Sequence, residues 1–340
     1  MFFHQIFAGY CIFLDDPNAQ LIGQFVGRFL LLIYTTLLSP AFDVVYDMAQ
    51  LISGGTVTDV PSRMYPAGKG INVATVARVL GEDVTVAGIV PEYSIKQFTD
   101  YLKGLGIGSR LFSTKGSARV NATILESESG ATTHISGESQ PISVRVQDEA
   151  LHFIRSYMAE GDLWAFCGSL PRGFETDSYR KLIRFCREKG AATVLDSRGE
   201  ALKVGTRAKP AIIKPNISEL EQFFGEQIQG VHHIALKAKR LVDMGVEYVF
   251  VTLGSDGMIA IHENDCLLCG APAVKAVDTV GCGDALLGGL LVGYSRKFSF
   301  SEMCRMAVAC GASKAMHRGP GTITRDEVWQ LMEEVKVKAI

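Results

Sequence analysis

A chain of 340 residues, 47% hydrophobic and 21% charged, is long enough to bury the core of one large α/β domain with a small appendage. A formal net charge of -2 and a pI near 6.4 leave no basic excess for neutralising a run of phosphates, which argues against nucleic acid as a partner and leaves room for a small anionic ligand. The eight cysteines are scattered through apolar segments, and the one close pair, Cys266 and Cys269, lacks a second C-x-x-C for a zinc site, so they read as reduced thiols of a cytoplasmic protein.

The first 30 residues carry apolar stretches, but Asp15, Asp16, Gln24 and Arg28 interrupt them and no small-residue cleavage pattern follows, so a signal peptide is not expected. Gln24 and Arg28 would also fall inside any membrane span, and no membrane contact is expected. Residues 1–30 are therefore set aside as an extension without an assigned role, and 31–340 as one domain. Tyr34-Thr35-Thr36-Leu37-Leu38 reads as the first buried strand. Polar and apolar residues alternate over 43–65 and again over 117–136, where Val120 to Leu125 meets the turn formers Glu128-Ser129-Gly130 and a second strand, Thr132 to Ile135. These stretches read as antiparallel hairpins forming a small β lid.

Further strand-like runs occur at 84–87, 163–166, 192–195, 211–213 and 248–251, and helical stretches such as Ser178 to Lys189 and His232 to Met244 lie between most of them. That alternation implies α/β architecture, a mostly parallel sheet covered by helices on both faces. Such sheets bind ligands at the carboxyl ends of their strands, so the loops after the strands are the places to search.

The first of these loops, Pro66-Ala67-Gly68-Lys69-Gly70-Ile71-Asn72, opens the helix Val73 to Leu80. Its glycines permit close backbone approach, while Lys69 and Asn72 carry donors for sugar hydroxyls or a phosphate. A capping turn with a solvated lysine would use the same residues. Gly168-Ser169-Leu170-Pro171 closes a later strand. Lys214-Pro215-Asn216-Ile217-Ser218-Glu219 follows another, and Asn216 and Glu219 share a helical face that suits a hydrated Mg²⁺ beside phosphates, or equally an ordinary helix cap. Thr252-Leu253-Gly254-Ser255-Asp256-Gly257 fits a nucleotide-phosphate contact or a plain turn equally well.

The sharpest signal comes last. Asp278-Thr279-Val280-Gly281-Cys282-Gly283-Asp284 runs into the small, apolar helix Ala285 to Leu291. Glycines at a helix N-terminus let bare N–H groups approach an anion, and the macrodipole favours negative charge there. A carboxylate in that first turn, Asp284, is placed to take a proton from an attacking hydroxyl, although a turn that merely starts a helix, with Asp284 as a favourable first-turn acid, would use the same residues.

Taken in this order, the motifs resemble those of the PfkB (ribokinase-like) carbohydrate kinases, in the branch of 1-phosphofructokinase, tagatose-6-phosphate kinase and the minor 6-phosphofructokinase. The resemblance runs from about Tyr34 to Leu331 and includes Leu38 to Asp43, Ala118-Arg119-Val120-Asn121 and Leu195 to Leu202 besides the loops above. It implies a three-layer sandwich with a β lid, and ATP and Mg²⁺ as cofactors. It implies Asp284 as base, and an anion hole from the backbone of Gly281, Cys282 and Gly283. Asn216 and Glu219 would serve Mg²⁺ through water, and Lys214, Thr252, Gly254, Gly257 and Thr279 the nucleotide, with adenine near Cys310 to Ser313. Asp43, Gly68, Lys69, Asn72, Arg119, Asn121 and Ser169 would line the sugar-phosphate pocket.

Arg119 favours a sugar phosphate over a neutral sugar or nucleoside, because an inward guanidinium suits bidentate binding of a phosphate. The sequence departs from the family at Ala67, which replaces a usual glycine, at Cys282, which replaces a usual alanine, and in missing charges around 133–135 and 56–63. A kinase of neutral sugars or nucleosides and a non-catalytic sugar sensor on the same fold are the competing readings. A homodimer through the lid is expected, since a sheet of few strands with one apolar face is marginally stable alone.

Overall fold

The computed structural model describes residues 32–319 and 321–340, so the extension expected over residues 1–30 lies outside the described residues. In chain order the strands are β1 (Ile33–Leu37), β2 (Ala41–Met48), β3 (Ser62–Ala67), β4 (Val84–Pro91), β5 (Gly108–Thr114), β6 (Arg119–Glu126) and β7 (Thr132–Ile135), then β8 (Leu163–Cys167), β9 (Ala192–Asp196), β10 (Ile212–Ile213), β11 (Tyr248–Thr252), β12 (Met258–His262), β13 (Asp265–Gly270) and β14 (Lys336–Ala339). The helices are α1 (Lys69–Val79), α2 (Ile95–Gly104), α3 (Val144–Arg155), α4 (Ser178–Glu188), α5 (Gly199–Thr206), α6 (Ile217–Phe224), α7 (Val231–Asp243), α8 (Cys282–Ser295), α9 (Phe300–Met316) and α10 (Arg325–Glu334).

Strands β1 and β8 are buried along their whole length, as near-continuous apolar runs require of central strands in a covered sheet. The large sheet has the order β14-β13-β12-β11-β10-β9-β8-β1-β4-β5. Neighbours from β5 to β11 pair in parallel, and β12, β13 and β14 add an antiparallel edge. Because side chains alternate between faces, Leu163, Ala165 and Cys167 of β8 join the core under α1, α8 and α9, while Trp164 and Phe166 join the core under α3, α4 and α7. Helix, sheet and helix make the three layers expected. No helix among the described residues is long and apolar enough to cross a membrane.

Helix α8 is apolar on every side and is wedged between α1 and α9. Its approach to α1 depends on Gly288, where a Cβ would stand 2.6 Å from Val76 Cβ. This packing fixes where the first turn of α8, and so Asp284, points.

Four further strands form a separate sheet of order β3-β2-β6-β7. The β2/β3 and β6/β7 pairs are antiparallel, as the alternation suggests, but the central β2/β6 pair is parallel. The chain leaves this sheet after β3, passes through α1, β4, α2 and β5, and re-enters it in the same direction, a long-range return that local patterning does not encode.

Candidate active site

The functional loops converge at the carboxyl ends of β1, β8, β9 and β10, under the small sheet. Gly281 adopts φ 84° ahead of α8, a left-handed conformation that favours glycine, and no side chain caps the helix. The Cys282 amide donates to the Thr279 carbonyl at 3.3 Å and closes the turn. Among the backbone donors expected at this turn, the amides of Gly283 and Asp284 are therefore better placed than that of Cys282 to face an anion. A Cβ on Gly283 would lie 3.6 Å from Lys214 Nζ, so the bare glycine and a buried ammonium share one cradle.

Asp284 stands in an ordered ring of charges. Its Oδ2 accepts from Asn72 Nδ2 at 2.9 Å, and its Oδ1 lies 3.8 Å from Lys69 Nζ. Lys69 in turn lies 2.9 Å from Asp196 Oδ2, and Lys214 lies 3.5 Å from the same oxygen. Burial pushes the Asp284 carboxyl above the usual carboxylate range; Lys69, Asn72 and Lys214 pull it back, and the Asp196 charge adds to the rise. Burial works against the Lys69 ammonium too, but Asp196 and Asp284 outweigh it and hold its pKa above the ordinary lysine value. Two carboxylates and two lysine side chains thus face one another in a region where an unpaired ion would be costly.

Lys69 and Asn72, expected to line the sugar-phosphate pocket, both contact the Asp284 carboxylate here. Gly68 serves packing, since a Cβ there would meet Leu37 Cδ1 at 2.4 Å. Lys69 does still line a cavity of about 270 Å³, together with Arg119, Ser139, Ser169, Arg172 and Arg198. Arg119 reaches it from β6 with Nη1 donating to Gly137 O at 3.3 Å, while its buried Nε has no partner. Asn121 donates to Asp43 Oδ1 at 2.7 Å and accepts from the Gly137 amide at 3.1 Å, which ties β6 to β2 and to the segment after β7. Burial raises the Asp43 carboxyl, against the Asn121 hydrogen bond and the charges of His134 and Arg119.

Asp196, Arg172 and Arg198 have no assigned role in the sequence reading. The available signal for Asp196 is its place: a carboxylate ending an apolar central strand, at the sheet edge where ligands bind. Arg172 pairs with Glu138, whereas Arg198 has no carboxylate within ion-pair distance among the described residues. A second, mainly apolar cavity of about 310 Å³ adjoins the first and shares Arg119 and Ser139 with it.

On the other side of Asp284, Asn216 and Glu219 form a capping box at the start of α6: Asn216 Oδ1 accepts from the Glu219 amide at 2.8 Å, and Glu219 Oε2 accepts from the Asn216 amide at 2.9 Å. With those oxygens engaged, and no group of three His, Cys, Asp or Glu side chains able to hold a metal among the described residues, this donor set fits a hydrated Mg²⁺ contacted through water rather than a directly ligated one. Thr252 sits beside Asn216 at the end of β11. Gly254 starts a short 3₁₀ turn at φ 65°, and Gly257 lies so close to the Cys269 carbonyl that a Cβ would stand 2.0 Å from it. Gly257 is thus a packing requirement of the β11–β12 turn. Cys310 and Ser313 of α9, near which adenine is expected, are both buried, and the Ser313 hydroxyl donates to the Glu327 carboxylate.

The chain belongs to the pfkB family of carbohydrate kinases, whose pattern it matches over residues 42–327. It is 30% identical over 308 residues to the 1-phosphofructokinase of Bacillus subtilis, covering 90% of this chain and 99% of that protein. It is 29% identical over 310 residues to a tagatose-6-phosphate kinase of Staphylococcus epidermidis, covering 90% and 99%. Its fold matches phosphofructokinase-2 of Escherichia coli, solved in complex with substrates and products, with a TM-score of 0.85, 23% identity, and coverage of 89% and 99%.

Proposed function

We propose that this carbohydrate kinase transfers a phosphoryl group from ATP to a free hydroxyl of a hexose phosphate, giving ADP and a hexose bisphosphate. The observation that carries this reading is the position of Asp284, at the uncapped N-terminus of α8 and beside a cavity lined by Arg119, Arg172 and Arg198. Relatives named for fructose 1-phosphate and tagatose 6-phosphate chemistry support it.

In this reading Asp284 accepts the proton of the attacking hydroxyl, and Asn72 fixes which of its oxygens faces that hydroxyl. The amides of Gly283 and Asp284, the α8 dipole and the Lys214 ammonium hold the charge that builds on the transferring phosphoryl group. Lys69 keeps Asp284 ionised and in place. Hydrated Mg²⁺, reached through Glu219, would neutralise charge on the donor phosphates. Thr252, Gly254 and Thr279 border the space for the nucleotide.

Arg119 and Arg198 are the groups we assign to the phosphate already on the sugar. Two guanidinium groups near one another, neither in a close ion pair with a carboxylate among the described residues, suit a dianion better than a neutral sugar. Asp43, Asn121 and Ser169 remain for sugar hydroxyls. The test is a coupled ADP-release assay across fructose 1-phosphate, fructose 6-phosphate, tagatose 6-phosphate, neutral hexoses and nucleosides. A hexose phosphate should give the highest kcat/KM; preference for a nucleoside or a neutral sugar would overturn the reading.

We further assign the small sheet as a lid and as the dimer surface. Met64 and Ile135, 62% and 55% exposed, lie in register with Val44 and Ala122 across β3, β2, β6 and β7, and Val120 beside them is 53% exposed. An outward apolar row of this kind is self-complementary in a two-fold pair. A cytoplasmic location accords with the free thiols of the described cysteines.

A further inference from the structure

Lys314, in the last turn of α9, is fully buried. Its ammonium donates to the Asp278 carbonyl at 3.0 Å, to Asp278 Oδ2 at 3.2 Å and to the His317 carbonyl at 3.0 Å. An ammonium has three donors, so this side chain is saturated by oxygen on all of them. Burying a flexible, strongly hydrated cation so completely is costly, and an apolar residue would fill a helix end more cheaply. The cage needs another reason.

Its location supplies one. Asp278 begins the turn that ends at Gly281, and its other carboxylate oxygen accepts from the Val280 amide at 3.0 Å. The same carboxylate accepts from the Gly319 amide at 3.3 Å, and the Asp278 amide donates to the Ala315 carbonyl at 3.1 Å. The lysine stem passes beneath Gly281, where a Cβ would lie 3.7 Å from Lys314 Cε. One positive charge therefore pins the glycine turn to the end of α9, directly behind the amides that face the anion.

We infer that Lys314 is a tethered cation that positions the anion-binding turn from below, and that the reaction consequently needs no free monovalent cation at that place. Three oxygens converging on a single positive charge make the kind of cage that a potassium or ammonium ion would occupy if the side chain were absent. Lys314 does not touch the reacting groups; it is a positioning residue acting through Asp278 and Gly281. This inference rests on the anion-binding role given above to the start of α8.

The test compares wild type with Lys314→Met, which keeps an apolar stem and removes the ammonium, in choline, sodium, potassium and ammonium chlorides at matched ionic strength. Wild type should show the same kcat and the same Tm in all of them. The variant should lose about 10²-fold in kcat in choline, the effect of disordering an oxyanion site, with KM for the sugar little changed, and ammonium or potassium should restore a substantial part. Its Tm should rise in ammonium and potassium alone, a readout that needs no substrate and so separates failure of this inference from failure of the assigned reaction. Should Lys314→Met not fold, Lys314→Gln replaces it with the same expectations. Activation of wild type by potassium would overturn the inference, as would a variant whose losses in kcat and Tm are identical in every salt, the behaviour of a simple helix-end cap.

Discussion

Lys69 Nζ lies 2.9 Å from Asp196 Oδ2, a carboxylate with no exposure to solvent, and only 3.8 Å from Asp284 on its other side. The pair links the loop before α1 to the end of β9, and it holds the lysine where it can steady the proposed base. Asp196→Asn should therefore do more than remove a contact. It leaves Lys69 and Lys214 sharing Asp284 alone, at a stability cost of about 3 kcal/mol, the low end for a broken buried pair because Asp284 still faces Lys69. Urea unfolding measures this, and a cost below about 0.5 kcal/mol, the level of an ordinary surface change, would show that the pair is not structural.

Asp284→Asn keeps the shape of the side chain and removes the proton acceptor. kcat should fall by about 10²-fold or more, with nucleotide affinity nearly unchanged. The folded protein should be at least as stable as wild type near neutral pH: burial raises the Asp284 pKa, so its ionised form disfavours folding as pH rises through that pKa. Near wild-type kcat in the variant would remove Asp284 from the mechanism.

The same raised pKa sets the acid side of the pH profile. A base must be ionised, so kcat/KM should fall as pH drops through a pKa above the usual carboxylate range. Lys69 lowers that pKa, and Lys69→Met should move the acid limb to higher pH. Steady-state kinetics across pH tests the sign, and a limb that moves to lower pH would contradict the charge ring.

Arg119→Ala should lose about 10- to 150-fold in kcat/KM for the sugar phosphate, the worth of a hydrogen bond to a charged group, with KM for ATP close to normal. Turnover of a neutral hexose, already poor, should hardly change. Equal losses on both substrates would point to a general defect rather than a phosphate contact.

Gly288→Ala tests the packing that aims α8. The added methyl would collide with Val76 at 2.6 Å, and overpacking of this kind costs about 1–3 kcal/mol. Thermal unfolding should show a lower Tm, together with reduced kcat as the first turn of α8 shifts.

The sequence by itself determined the covered parallel sheet, because the runs at 163–167, 192–196 and 248–252 are too apolar for any strand with a wet face. It also determined the glycine turn and Asp284, since a left-handed residue, bare amides and a first-turn carboxylate are all local requirements within a few consecutive residues. The tertiary structure alone decided what surrounds Asp284. Lys69 and Asn72 at the start of α1, Asp196 at the end of β9 and Lys214 after β10 come from three separate segments, and no local spacing tells that Lys69 and Asn72 would meet the Asp284 carboxylate. The parallel β2/β6 pairing and the cage around Lys314 are of the same kind. Each arises where distant segments meet in a low-dielectric interior, where charges must find partners and the fold, through contacts between segments far apart in the chain, decides which are in reach.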